Sequence, residues 1–284
     1  MFKILDKKEI APNTFLMEIE APRIAKACLP GQFVIVKADE KSERIPLSIC
    51  DYDRKKGTVT IAVEALGKST QKIAAYDAEQ GFDNFAGPLG QPSNLVHMDL
   101  EELKNKNIML IGVGQGAASI YSQIKWLNEH EINADVIFGC KSKEYILLQE
   151  EMKAISSSLY ISTEDGSYGY KGLATDLLRE LVEKEGKRFD QVIAVGPVAM
   201  LKSISEVTKE YGIKTIVSLK AIMIDGMGIC GGCRVTVDGE TKLTCLDGPE
   251  FDGHLVDFEE LIRRQGIYKT EEGHVCRVGL HEHS

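Results

Sequence analysis

A multidomain β and α/β architecture, with an antiparallel barrel, a parallel-sheet domain and a small C-terminal metal lobe, is predicted by three features of the 284-residue chain. Up to about residue 98, short Val/Ile-rich runs alternate with Pro and Gly punctuation. From about 105, apolar strands alternate with helical stretches. Near the end, Cys230, Cys233 and Cys245 fall within sixteen positions, whereas Cys28, Cys50 and Cys140 stand alone. These features divide the chain into a barrel over 1–98, a nucleotide-type α/β domain over 99–220, a cluster lobe over 221–262 and a tail over 263–284.

The first part reads as a small antiparallel barrel because runs such as Gln32–Val36 and Thr58–Val63 recur at close spacing. In the second part the strand Asn107–Ile111 runs into a Gly-rich turn and then a helix in which Ile120, Ile124 and Leu127 form one apolar stripe. Strands at Ala134–Phe138 and Gln191–Val195, with a helix from Leu173 to Glu185, imply a parallel sheet with crossover helices. The tail ends in His-Glu-His-Ser and reads as a poorly constrained terminus.

Composition bounds the function. An apolar fraction of 43% and a charged fraction of 27% are those of a folded soluble protein. The net charge of −9 argues against a nucleic-acid-binding face. The chain holds no apolar run of membrane-spanning length and starts without a secretory pattern, so a cytoplasmic location is expected. Seven cysteines in a reducing compartment point to metal or cofactor chemistry sooner than to disulfides.

Asp225-Gly-Met-Gly-Ile-Cys230-Gly-Gly-Cys233, followed after eleven residues by Cys245, is the most specific motif. It has the spacing of plant-type 2Fe-2S sites, C-x4-C-x2-C and a distant Cys, with Asp at the first position. Two irons need four ligands, and the glycines let the backbone wrap tightly with N–H groups aimed at sulfur. Asp225 is thereby the candidate fourth ligand beside the three cysteines. The rival is a structural zinc site, because Cys230-x2-Cys233 is half a zinc ribbon, although no second CxxC follows.

Gly112-Val-Gly114-Gln-Gly116-Ala117 fits G-x-G-x-x-A between a strand and a helix, the context in which a pyrophosphate rests on a helix N-terminus. The acidic ribose ligand expected about twenty residues on is missing, for the next strand ends Phe138-Gly-Cys-Lys141. The pattern therefore leaves NAD against NADP open. The loops Thr163–Gly172 and Gly196-Pro197 lie where a nicotinamide site is expected, and each is equally explained as a turn. In the barrel half, Arg44-Ile-Pro-Leu-Ser48 and Gly67-Lys-Ser-Thr70 offer a cation and hydroxyls to phosphate, or are a surface arginine and a polar turn. The six histidines form no convincing catalytic triad, and His254 reads as a hydrogen-bonded surface residue.

With Pro30-Gly-Gln-Phe33 and Gly87-Pro-Leu-Gly90, these segments resemble the ferredoxin-NADP reductase superfamily. The order barrel, nucleotide domain and 2Fe-2S segment resembles the electron-transfer subunit of dihydroorotate dehydrogenase type B. The cluster segment, with Cys245-Leu-Asp-Gly-Pro-Glu-Phe-Asp-Gly253, is similar still more to small (alpha) subunits of NADH-dependent reduced ferredoxin:NADP oxidoreductase, also called sulfide dehydrogenase beta subunits, which have Asp at the first ligand position. The resemblance covers residues 1 to about 262.

It implies FAD contacts from Arg44, Pro46, Leu47, Ser48, Gly67, Ser69 and Thr70, and NAD(H) contacts from Gly112, Gly114, Gly116, Glu164, Asp165, Gly196 and Pro197. Asp225, Cys230, Cys233 and Cys245 are implied to hold the 2Fe-2S cluster, and no general acid or nucleophile is needed. Two departures stand out: the superfamily's R-x-Y-S is replaced by a sequence with Leu47 before Ser48 and Arg44 one position further away, and its Cys-Gly by Val195-Gly196. The implied function is an oxidoreductase subunit exchanging hydride between NAD(H) and FAD and passing single electrons through the cluster. The implied partner is a large flavin and iron–sulfur subunit in a heterodimer meeting near residues 225–262, with ferredoxin and NADP reached through it in flavin-based electron bifurcation. Dihydroorotate dehydrogenase or a sulfide/polysulfide reductase is the alternative partner, and a zinc-bearing non-redox regulatory protein the alternative of another class.

Overall fold

The structure, a computed structural model, describes residues 1–268. Cys276 and the histidines at 274, 281 and 283 lie outside the described residues. The chain opens with β1 (Phe2–Ala11), β2 (Thr14–Glu20), α1 (Pro22–Ala27), β3 (Phe33–Lys37), β4 (Ile45–Asp53), β5 (Thr58–Glu64), α2 (Lys68–Ala74), β6 (Gly81–Phe82) and β7 (Asn84–Leu89). The strands form one antiparallel sheet in the order β6-β1-β2-β5-β4-β3-β7. Its two edge strands, β6 and β7, are separated only by Asp83, so the chain itself bridges the gap and the sheet curls into a near-closed barrel. Ile4, Met17, Ile19, Val34, Val36, Ile49, Val59, Ile61 and Phe82 fill the interior. In the motif Arg44–Ser48, residues 45–48 are the start of strand β4, with Pro46 opposite Ile35.

The second unit runs α3 (Leu100–Lys104), β8 (Ile108–Val113), α4 (Gly116–Glu129), β9 (Ala134–Cys140), α5 (Gln149–Ile155), β10 (Ser158–Thr163), β11 (Tyr170–Lys171), α6 (Ala174–Glu183), β12 (Gln191–Val195), α7 (Val198–Glu210) and β13 (Lys214–Ser218). The strands β11-β10-β9-β8-β12-β13 pair in parallel, and the order reverses between β8 and β12. That reversal is the topological switch point at which open α/β sheets bind ligands. Ile120, Ile124 and Leu127 are fully buried on one face of the sheet, as their spacing predicts, and Leu177, Leu178 and Leu181 of α6 pack on the other. The helix expected to reach Glu185 stops at Glu183, just before Gly186 turns the chain at φ +70°.

The last segment contains β14 (Arg234–Val237), β15 (Glu240–Leu243), β16 (Glu250–Asp252) and α8 (Phe258–Gln265). β14 and β15 make a hairpin, whereas β16 adds antiparallel to β13 at the edge of the parallel sheet. The segment thus shares a sheet with the unit before it.

Helix α4 docks the two large units: Ser122 Oγ donates to the Ile49 carbonyl (3.2 Å) and Lys125 Nζ pairs with Asp51 (2.7 Å). Glu250 ties three segments together, accepting from Ser93 Oγ (2.9 Å) and Gln123 Nε2 (2.7 Å). Burial raises its carboxyl above the usual carboxylate range, against those donors and the Asn94 amide. Protonation is thus easier in the folded chain than in the unfolded one. The stabilisation is full below the ordinary glutamate value and is lost as pH rises through the raised one. Glu250→Gln keeps the Gln123 bond and turns its amide to the Ser93 hydroxyl, which accepts as readily as it donates. We expect this variant to melt higher than wild type at pH 8 by about 1 kcal/mol, or roughly 2–4 °C, and to lose the advantage at pH 4.

Among the described residues, no helix is long and apolar enough to cross a membrane. Cys28, Cys50 and Cys140 are buried free thiols. Burial pushes Cys28 up to about 12 and Cys140 up to about 11, which suits packing groups and not reactive ones.

Candidate functional site

A cleft of about 1040 Å³ separates the barrel from the α/β unit. This is at the upper end of the ~300–1,000 Å³ typical of ligand pockets, enough for a dinucleotide-sized group. Its barrel wall includes Pro46, Leu47 and Ser48 from β4 and Gly67, Ser69 and Thr70 from the start of α2. Arg44 does not line it; it stands exposed beside Lys41, which does. Thr70 Oγ1 accepts from the amides of Leu66 and Gly67 (both 3.1 Å), so this hydroxyl shapes the turn. The Ser69 hydroxyl donates to Glu43.

Across the cleft stand Gln115, just before α4, Ala118 and Ser119 of α4, and Ser218 to Ala221, Met223 and Pro249. Gln115 Nε2 is buried without a hydrogen-bond partner. An orphaned donor of this kind needs a partner that a bound polar ligand supplies. An FAD suits the cleft on size, on that donor and on the open space where a Cβ at Gly67 would meet nothing.

The nucleotide loops converge by strand register. Pairings Val195↔Gly112, Val113↔Gly139 and Thr163↔Cys140 bring the C-terminal ends of β12, β8, β9 and β10 side by side. Gly112, Gly114, Gly116, Glu164, Asp165, Gly196 and Pro197 therefore lie along one edge of the sheet. Gly114 has φ +56°, and a Cβ there would meet nothing within 4 Å, which leaves an open cradle above the N-terminus of α4. At Gly116 a Cβ would sit 2.0 Å from the Val195 carbonyl oxygen, so the helix start must be bare for the two loops to touch. Asp165 accepts from the Ser167 hydroxyl (2.6 Å) and amide (2.9 Å), which hold its carboxyl below the usual range. Glu164 is exposed next to it. This open, anion-edged crevice suits a nicotinamide dinucleotide.

In the cluster loop the Cys233 and Cys245 sulfurs are buried 3.2 Å apart, unbridged by a disulfide. Cys230 is exposed, with the Gly232 amide 3.4 Å from its sulfur. Asp225 accepts from the amides of Met227 (2.7 Å) and Cys230 (2.6 Å), and these bonds hold its carboxyl ionised. Gly226 and Gly228 take φ of +72° and +79°, where side chains are strained. Among the described residues no three His, Cys, Asp or Glu side chains close on one point. The donor set of three sulfurs and an ionised carboxylate in one glycine-wrapped loop nevertheless has the chemistry of an iron–sulfur site. His254 is held by Thr208 (3.1 Å) and plays no part in it.

Phe33, Ala221 and Met223 line the cleft and also pack with Cys233 and Cys245 in one apolar cluster. The cluster loop therefore abuts one end of the cleft. Lys41, Lys68, Gln115, Ser119 and Lys220 also stand on the cleft wall, beyond the residues the sequence singles out; Gln115 and Lys68 carry a local signal, their places in the Gly-rich turn and in Gly67-Lys-Ser-Thr70.

Residues 220–257 match the iron-sulfur cluster binding domain of dihydroorotate dehydrogenase B. The chain is 53% identical to an uncharacterized protein in the adh 3′ region of Clostridium beijerinckii, over 96% of this chain and 92% of the relative. It is 38% identical to the dihydroorotate dehydrogenase B (NAD(+)) electron transfer subunit homolog of Thermotoga maritima, over 95% of this chain and 92% of that one. A solved structure of the NADH-dependent reduced ferredoxin-NADP oxidoreductase, described as giving insights into flavin-based electron bifurcation, superposes with TM-score 0.89 at 37% identity. It covers 99% of this chain and 98% of that chain. Phthalate dioxygenase reductase, at 14% identity and TM-score 0.56, shares the fold. A barrel, a switch-point crevice and a three-cysteine loop assembled in this order, together with those identities, show that the chain belongs to the family of dihydroorotate dehydrogenase B electron-transfer subunits.

Proposed function

We propose that this chain is the NAD(H)-dependent electron-transfer subunit of a flavin and iron–sulfur oxidoreductase, working with a larger catalytic subunit. When bound, a flavin exchanges a hydride pair with a nicotinamide and single electrons with a 2Fe-2S cluster. The residues do the placing. The edge formed by Gly112, Gly114, Gly116, Gly196 and Pro197 receives the dinucleotide, with Glu164 and Asp165 toward its ribose. Pro46, Leu47, Ser48, Gly67, Ser69 and Thr70 form the flavin wall, with Arg44 at its rim. Asp225, Cys230, Cys233 and Cys245 hold the cluster.

The observation that carries this reading is the sharing of Phe33, Ala221 and Met223 between the cleft and the cysteine sulfurs. It puts one apolar cluster of side chains between the cleft and the cysteines of the loop. Around the exposed Cys230, the side chains of Ile224, Met227, Ile229 and Leu246 are also exposed, Ile229 by 81%. Such a patch fits docking of the large flavin and iron–sulfur subunit over the cluster loop. In the division proposed, 1–98 holds FAD, 99–220 NAD(H) and 221–262 the cluster, with 263–284 as the tail. The larger complex would couple NADH to ferredoxin and NADP through that subunit, in the cytoplasm.

The test is anaerobic titration of the natively purified complex. NADH should bleach the visible band of FAD on this chain and bring up the paramagnetic signal of a reduced 2Fe-2S centre, with a large flavin and iron–sulfur subunit co-purifying. A colourless chain, or one holding zinc, would defeat the proposal.

A further inference from the structure

Lys220 lies on the cleft wall and belongs to none of the motifs above. It follows β13 after one residue, at the bend where the chain leaves the parallel sheet for the cluster loop. Its backbone is fixed: Gln265 Nε2 of α8 donates to its carbonyl, and the Leu219 amide before it donates to the Pro249 carbonyl (2.9 Å). Among the described residues its ammonium has no ion-pair partner. The side chain is exposed to the cleft; the protein around it lowers its pKa, and Glu64 at the end of β5, on the barrel side of the cleft, opposes that shift. A cation on the cleft wall without a partner is free to answer negative charge on a group bound there.

The walls of the cleft differ. Lys41, just before β4, and Lys68, Ser69 and Thr70, at the start of α2, give the barrel side of the cleft a polar setting that suits phosphates. Where the cleft meets the cluster loop it is walled by Phe33, Ala221 and Met223, which pack in one apolar cluster with Cys233 and Cys245. Electrons reach those sulfurs most directly from a ring against this apolar wall, where Lys220 adjoins Ala221. Accepting a hydride, that is two electrons and one proton, leaves a neutral flavin ring with one net negative charge. A nearby cation stabilises that charge, and charge close to the ring is one of the levers by which a protein tunes a flavin.

We propose that Lys220 faces the flavin ring and raises its reduction potential, acting as a positioning and tuning residue for electron transfer. The proposal rests on the cleft being the FAD site. Its test is potentiometric titration of FAD bound to the complex, for wild type and for Lys220→Met, Lys220→Gln, Lys220→Arg and Glu64→Gln. FAD affinity is measured alongside by fluorescence.

The Met and Gln variants should shift the equilibrium at least tenfold toward oxidised flavin, a fall of about 30 mV for a two-electron couple. Lys220→Arg should stay close to wild type, and Glu64→Gln should move the potential upward. Unchanged potentials in both neutral variants would overturn the proposal. So would a loss of FAD affinity at constant potential, which would put Lys220 on the phosphates. A wild-type chain that takes up no FAD would bring down the cleft assignment itself, a result distinct from either.

Discussion

Cys245→Ser is expected to remove the cluster while leaving both large sheets folded. Cys233 and Cys245 are the buried pair of the loop, each 2% exposed, with sulfurs 3.2 Å apart. Burial and the neighbouring thiol push Cys245 up to about 12. Two thiolates at that distance repel, and a bound cationic centre relieves the repulsion. A serine hydroxyl does not supply the missing thiolate, so iron should fall from two per chain to near zero after desalting. NADH should still bleach the flavin, because the cleft and the crevice are lined by other residues. Transfer to a one-electron acceptor should drop by about 100-fold or more, since the loss of even an outer partner costs a metal site 10–100-fold. Iron analysis, paramagnetic resonance and stopped-flow bleaching read the three parts separately. Full iron content with an unchanged signal would remove Cys245 from the ligand set.

Gly116→Ala should have the largest effect on the nucleotide crevice. The new methyl carbon would lie 2.0 Å from the Val195 carbonyl oxygen and 2.6 Å from its carbon, and both are backbone atoms in a central strand. Neither can swing aside as a side chain would, so α4 and the Gly196-Pro197 loop must part. Overpacking of this kind costs about 1–3 kcal/mol, and we expect the upper end of that range. NADH affinity should fall at least about tenfold, equivalent to 1.4 kcal/mol. Gly114→Ala is the control: its methyl meets open space, and the cost is that of a left-handed φ, about 1–2 kcal/mol. Urea melts and NADH titrations of the two variants separate packing from binding. Equal melts for Gly116→Ala and wild type would show that the turn is looser than this geometry requires.

Much of the architecture was legible because it follows from local pattern. Ile120, Ile124 and Leu127 announce a buried stripe by their spacing alone, and all three are fully buried. The Gly-rich turn was legible because tight strand–helix junctions demand glycine, as the Gly112 and Gly116 contacts show. The strand start at Ile45 was harder to see, because Pro46 and Ser48 resemble a turn until Pro46 finds Ile35 across the barrel.

The chemistry divides along the same line. Sequence by itself pointed to the family, the fold class and the candidate sulfur donors, since residue type and spacing along one stretch of chain specify such motifs. Tertiary structure decided which residues face the cleft. It put Lys41 on the wall and left Arg44 outside, turned Thr70 into its own turn, joined Glu250 to Ser93 and Gln123, and set Lys220 on the cleft wall. The reason is physical: a cleft between two units is lined by residues up to about 200 positions apart in the chain, brought together by α4 docking on β4 and β16 closing on β13. Local spacing holds no information about that meeting.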